Sequence, residues 1–212
     1  MKGVVFDLDG VIVDSEALDV ECEKRVFARH ALSVNDSDFE SFKGRTAREI
    51  FEHVARKNNS SLDPSALVHE KLEFFLERAP ELELFEGFVE LADFLKPRCQ
   101  MALATSNSSE VQKAVFNKFK LHKYFASIVT SEDVLVGKPH PEAYLTAFER
   151  LGLRPGECVV VEDSVNGVKS AKAAGASVIA VTHSFPRKAL READFVVENL
   201  AGALKLFREQ LQ

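Results

Sequence analysis

At 212 residues the chain can bury a core without disulfide or metal staples, and it has room for a core domain plus a smaller one. Hydrophobic residues make up 46% and charged residues 28%, the profile of a soluble globular protein. The 33 acidic side chains outnumber the 27 basic ones, for a formal net charge of −6, which argues against a broad nucleic-acid-binding face. No apolar run reaches membrane length and the N-terminus has no signal-type apolar segment, so no membrane partner and a cytoplasmic location are expected. Cys22, Cys99 and Cys158 form no CxxC and read as reduced thiols, the last two at strand starts.

In chain order, KGVVFDL is the first buried strand, and it runs directly into Asp7-Leu8-Asp9-Gly10. Side chains in an extended chain repeat every two residues, so Asp7 and Asp9 share a side and repel unless a cation or a proton joins them. From Ser15 to Ala79 the patterns are helical (EALDVECEKRVFARH, DSDFESFKG, TAREIFEHVARK, PSALVHEKLEFFLERA), with no clear strand before Met101. ELFEGFVELADFLK leads back to apolar runs that alternate with amphipathic ones: QMALAT, ASIVTS, CVVVED, SVIAVT and DFVVE. Such alternation predicts a Rossmann-like, doubly wound parallel α/β sheet. The expected domains are a discontinuous core, 1–13 and 81–212, and an inserted all-helical cap, 14–80.

In an open parallel sheet, ligands bind beyond the carboxyl ends of the strands. Four loops put polar residues there: Asp7-Leu8-Asp9-Gly10, Thr105-Ser106-Asn107-Ser108, Gly137-Lys138-Pro139-His140 and Glu162-Asp163-Ser164. Singly, each reads as a turn, a helix cap or an exposed loop. All four at one edge point to a site. Asp7, Asp9, Glu162 and Asp163 make a hard oxygen donor set that suits Mg²⁺. Lys138 adds positive charge, while Thr105 and the helix start behind it offer a hydroxyl and free N–H groups to a phosphate.

FDLDGVIVDSE, ALATSN, VGKPHPEAY and VVVEDSVNGVKSAKAAG resemble the haloacid dehalogenase-like hydrolases over nearly the whole chain. More narrowly, they resemble the β-phosphoglucomutase-related phosphatases and mutases with a small helical cap. The resemblance implies Asp7 as nucleophile and Asp9 as general acid, then base. It implies Thr105 and Lys138 as holders of the phosphoryl group, with Ser106 and Asn107 beside them. Asp7, Asp163 with Glu162, and the Asp9 carbonyl would serve Mg²⁺. The cap stretch FKGRTAR resembles the family's cap loop and makes Lys43 and Arg48 candidate substrate contacts, with Arg45 between them. Asp19 stands where the family's mutases carry a histidine, which favours a phosphatase for a small phosphorylated metabolite, such as a sugar phosphate, over a phosphosugar mutase. A phosphoaspartate signalling module or a silent binding protein is the reading from another class. No obligate protein partner is implied, and a monomer is the default.

Overall fold

The structure, a computed structural model, describes residues 1–42 and 46–210. They divide into two compact units, Met1–Asp14 with Glu83–Gln212, and Ser15–Leu82.

The first unit is built on a parallel sheet. Its strands are β1 (Gly3–Phe6), β4 (Gln100–Ala104), β5 (Ser127–Val129), β6 (Cys158–Glu162), β7 (Ser177–Val181) and β8 (Phe195–Val197), in the order β5-β4-β1-β6-β7-β8. β1 lies at the centre, with Val5 facing Ala102 on one side and Val160 on the other. Alternation sends Val5, Ala102, Ala104, Val160 and Val178 to one face, where they pack with Tyr144 and Phe148 of α7 (Glu142–Leu151) and Val168 of α8 (Val165–Ala173). Phe6 faces the other way and meets the edge of Phe88, on α5 (Phe88–Leu95), at 5.9 Å. α6 (Ser109–Phe119) and α9 (Leu200–Gln210) complete the helices of this unit. Burial on both faces explains why the strands read as unbroken apolar runs.

The interval expected to lack strands holds two short ones. β2 (Val13–Asp14) and β3 (Glu83–Leu84) pair antiparallel, with Asp14 opposite Glu83. Two residues each are too few to show an alternation in sequence. Cys158 is buried at the start of β6, and half-buried Cys99 directly precedes β4.

The second unit is helical: α1 (Glu16–Arg29), α2 (Asp36–Phe42), α3 (Ala47–Lys57) and α4 (Pro64–Arg78). Thr46 begins α3 with a reciprocal capping box to Glu49, and Asp63 caps α4 ahead of Pro64. Phe27 of α1 meets Phe39, Phe42 and Phe51 at ring distances of 5.5–6.4 Å, which closes the helices on one core. Lys71 of α4 is ion-paired with Asp19 of α1.

Glu23 is buried on α1, and burial before all else, with Asp19 adding to it against Lys71, pushes its carboxyl up to about 7. A carboxyl raised in the folded state contributes stability below its ordinary value, which is lost as pH climbs through 7. Glu23→Gln removes that loss. The variant should match the parent near pH 4.5 and exceed it at pH 8 by on the order of 3 kcal/mol, read from urea unfolding at both pH values. Equal stability at pH 8 would show that Glu23 ionises without cost.

Candidate active site

Asp7 continues β1, its N–H bonded to the Val161 carbonyl at 3.1 Å, so its carboxylate emerges at the carboxyl edge of the central strand. The chain then turns sharply: Ile12 and Val13 donate to the Leu8 carbonyl at 2.8 and 3.0 Å, and Gly10 donates to Val13 at 3.0 Å. Gly10 has φ +69°, and a Cβ there would lie 1.8 Å from Asp163 Oδ2, so only glycine fits.

Lys138 brings its ammonium to this edge on a side chain only 6% exposed. It donates to Asp7 Oδ1 at 2.8 Å, to Glu162 Oε1 at 2.7 Å and to the Ala104 carbonyl at 3.1 Å. Three donors meet three acceptors, which fixes the group rather than leaving it to solvent. The Tyr144 hydroxyl donates to the same Glu162 oxygen at 2.7 Å. Glu162 Oε2 accepts from the N–H groups of Asp163 and Ser164 and from the Ser164 hydroxyl at 2.9–3.0 Å. An ionised carboxylate has about four lone-pair directions, and Glu162 already accepts from five donors. It is a strut for Lys138.

Thr105 is buried directly after β4, its N–H bonded to the Val129 carbonyl and its hydroxyl oxygen accepting from the Asn107 N–H at 3.1 Å. The hydroxyl keeps its proton for donation. The Asn107 side-chain amide donates to Asp9 Oδ2. Expected beside a phosphate, Asn107 therefore also holds the carboxylate of Asp9. Ser106 is exposed, and Ser108 caps α6.

Asp7, Glu162 and Asp163 offer carboxylate oxygens that all lie within 4.8 Å of one another. Burial, with Glu162 and Asp9 adding to it against Lys138, pushes Asp7 up to about 7. Burial, followed by Glu162 and Asp7, raises Asp163 well above the usual carboxylate range. Lys138 goes the other way: its two carboxylate partners outweigh its burial and hold it firmly charged. Glu162 is lowered despite burial, chiefly by Lys138. Three buried carboxylates thus share one ammonium, and the group is short of positive charge. A hard divalent cation fits that deficit and the all-oxygen donor set.

Gly167, in the first turn of α8, is tied to this strut: a Cβ there would lie 1.7 Å from Glu162 Oε1. Alanine is favoured in a helix interior by about 1 kcal/mol, but Glu162 is pinned at both oxygens and cannot swing aside. Gly167→Ala should therefore destabilise the protein by about 1–3 kcal/mol in urea unfolding. A variant as stable as the parent would show that Glu162 moves freely.

The four loops expected at one edge contribute Asp7, Asp9, Thr105, Asn107, Lys138, Glu162 and Asp163 to one connected set within the first unit. His140 is exposed, 3.7 Å from Glu142. Lys43 and Arg45 lie outside the described residues; Arg48, in the second unit, is exposed and paired with Glu52 at 2.9 Å. Three residues of the site went unread in the sequence: Tyr144, His183 and Ser184. The last two follow β7, so the carboxyl-edge rule applied to SVIAVT would have found them.

The family model for haloacid dehalogenase-like hydrolases matches residues 4–181. The chain is 34% identical over 216 aligned residues to a phosphorylated carbohydrates phosphatase of Thermotoga maritima, covering 97% of this chain and 99% of that one. It is 32% identical over 202 residues to validoxylamine A 7'-phosphate phosphatase of Streptomyces hygroscopicus subsp. limoneus, covering 94% of each. In fold it matches β-phosphoglucomutase of Clostridium difficile with a TM-score of 0.84 at 21% identity, over 99% of this chain and 96% of that one. With this fold, this edge and these relatives, the chain belongs to the haloacid dehalogenase-like hydrolases and is an enzyme of the β-phosphoglucomutase-like group.

Proposed function

We propose that the protein is a Mg²⁺-dependent phosphatase acting on a small phosphorylated metabolite, a sugar phosphate first among them, through an aspartyl-phosphate on Asp7. The observation that carries this reading is the buried set of Asp7, Glu162 and Asp163 around Lys138, with Thr105 and an amide-held Asp9 on the same edge. The two phosphatases above support the substrate class.

Asp7 attacks phosphorus with the oxygen that Lys138 does not hold, and the bond from phosphorus to the ester oxygen breaks. Asp9 gives its proton to the departing alcohol. In the second half it takes a proton from water, the water oxygen attacks phosphorus, and Asp7 is released as carboxylate. Asn107 keeps the Asp9 carboxyl aimed while its proton comes and goes. Lys138 and the Thr105 hydroxyl bind the phosphoryl oxygens, and Ser106 and the backbone before α6 add donors. Asp7, Asp163 and the Asp9 carbonyl would hold Mg²⁺, with Glu162 adding charge behind them. When bound, the ion offsets negative charge on the phosphoryl oxygens. Lys43 and Arg48 remain the substrate contacts proposed in the cap.

The test is phosphate release from a panel of sugar and polyol phosphates, with Mg²⁺ and with EDTA. Release that needs Mg²⁺ and concentrates on one compound establishes the reading. Conversion of β-glucose 1-phosphate without phosphate release would instead establish the mutase, which shares the Asp7 chemistry and this fold.

A further inference from the structure

The loop after β7 is not among the four that the chemistry above uses, yet it touches the site twice. The Ser184 hydroxyl donates to Asp163 Oδ2. One residue earlier, His183 Nδ1 lies 2.7 Å from the Gly10 carbonyl oxygen. A carbonyl only accepts, so Nδ1 carries the hydrogen and donates. The imidazole is also stacked on Phe85, with centroids 3.9 Å apart and planes 15° from parallel. Phe85 is fixed in turn, its N–H bonded to the Ile12 carbonyl at 3.0 Å.

Gly10 is the most freely rotating residue type in the most demanding place, a left-handed turn directly after Asp9. Two peptide groups flank it. The one before it contains the Asp9 carbonyl and the Gly10 N–H, which point opposite ways across a planar trans peptide. Val13 accepts from that N–H, so the Asp9 carbonyl is turned away from Val13. The peptide after Gly10 is held at its carbonyl by His183. Were it released, the bond from the Gly10 N–H to Val13 would be left to hold the turn, and the aim of the Asp9 carbonyl would loosen. Ser184 does the equivalent for Asp163, fixing how its carboxylate plane is turned.

We propose that His183 and Ser184 are positioning residues for the divalent cation: His183 aims the Asp9 carbonyl through Gly10, and Ser184 aims the carboxylate of Asp163. This rests on the cation site proposed above. Partners that orient metal ligands typically account for 10–100-fold in affinity.

Calorimetric titration of the protein with MgCl₂, without substrate, tests it. His183→Phe keeps a ring for Phe85 and deletes the donor; His183→Asn restores an N–H near the position of Nδ1. The Mg²⁺ dissociation constant should rise about ten-fold or more in His183→Phe and in Ser184→Ala, with His183→Asn recovering most of the loss. Should His183→Phe fail to fold, Ser184→Ala carries the test, since it deletes one hydroxyl. Dissociation constants within two-fold of the parent in a folded variant overturn the proposal and leave the cation site standing. A purely structural role would lower the melting temperature in EDTA without moving Mg²⁺ affinity, and overturns it too. A parent protein that binds no Mg²⁺ overturns both. The expected affinity pattern beside an inactive substrate panel would uphold the positioning roles and remove the phosphatase.

Discussion

Asp7→Asn should abolish phosphate release, lowering kcat/KM by about four orders of magnitude or more, the scale set by loss of an attacking group that acts within a unit. The amide keeps the shape of the carboxylate and one oxygen toward Lys138, but it carries no charge to attack phosphorus. Because Lys138 holds Oδ1 at 2.8 Å, the attack proposed for Asp7 falls to its other oxygen, the position an amide nitrogen would occupy. The measurement is phosphate release at saturating Mg²⁺, with circular dichroism to show an intact fold. Residual turnover within 100-fold of the parent would remove Asp7 as the nucleophile and leave Asp163 or an activated water as the attacking group.

Lys138→Met is expected to damage stability as well as rate. The ammonium is the shared partner of Asp7 and Glu162, and the Lys138 and Glu162 side chains are 6% and 0% exposed. Methionine fills most of the volume but leaves two buried carboxylates facing each other, and breaking such a pair costs about 3–5 kcal/mol. The pH dependence gives the sign. In the parent, Lys138 holds Glu162 below its ordinary pKa, so that contribution is present above the ordinary value and fades as pH falls. Without the cation both carboxyls are raised in the folded state, so stability is kept at low pH and lost as pH rises. The gap in melting temperature between parent and variant should therefore be wide at pH 8 and narrow toward pH 5. A gap that does not change with pH would mean the loss is one of packing, not of charge.

How far these residues could be read from the chain depended on what each role requires. The strands of the main sheet were legible because burial on both faces forces continuous apolar runs, and their ends located the loops without any coordinates. β2 and β3 were not legible, because two residues carry no period. Asp7, Asp9, Thr105 and Lys138 could be singled out because their chemistry is written in their residue types. Glu162 could be placed in the site but not given its task. Whether a carboxylate faces an ion or props a lysine depends on five donors drawn from Lys138, Tyr144, Asp163 and Ser164. His183 and Ser184 follow a strand with no helix start behind them, so the end of SVIAVT could give their place at the edge but nothing in Thr-His-Ser gave their task. Tyr144 was hidden most completely, since in sequence it is one more apolar position of an amphipathic helix.

The place of β1 in the sheet bears on how the chain comes to be folded at all. β1, made before either of its partners, pairs with Gln100–Leu103 on one side and Cys158–Val161 on the other, so its nearest partner is roughly a hundred residues away. Until Gln100–Leu103 is made, about halfway along the chain, Gly3–Phe6 is an apolar strand with both edges open, and one edge stays open until Cys158–Val161 follows; such a segment associates with other chains. Ser15–Leu82 can meanwhile close on contacts made within itself. Synthesis should therefore pass through a stage in which the helical unit is folded and β1 is still unpaired. Chains interrupted before Cys158 emerges should be the ones that aggregate and occupy chaperones, and refolding of the whole protein should wait on closure of this long-range pairing.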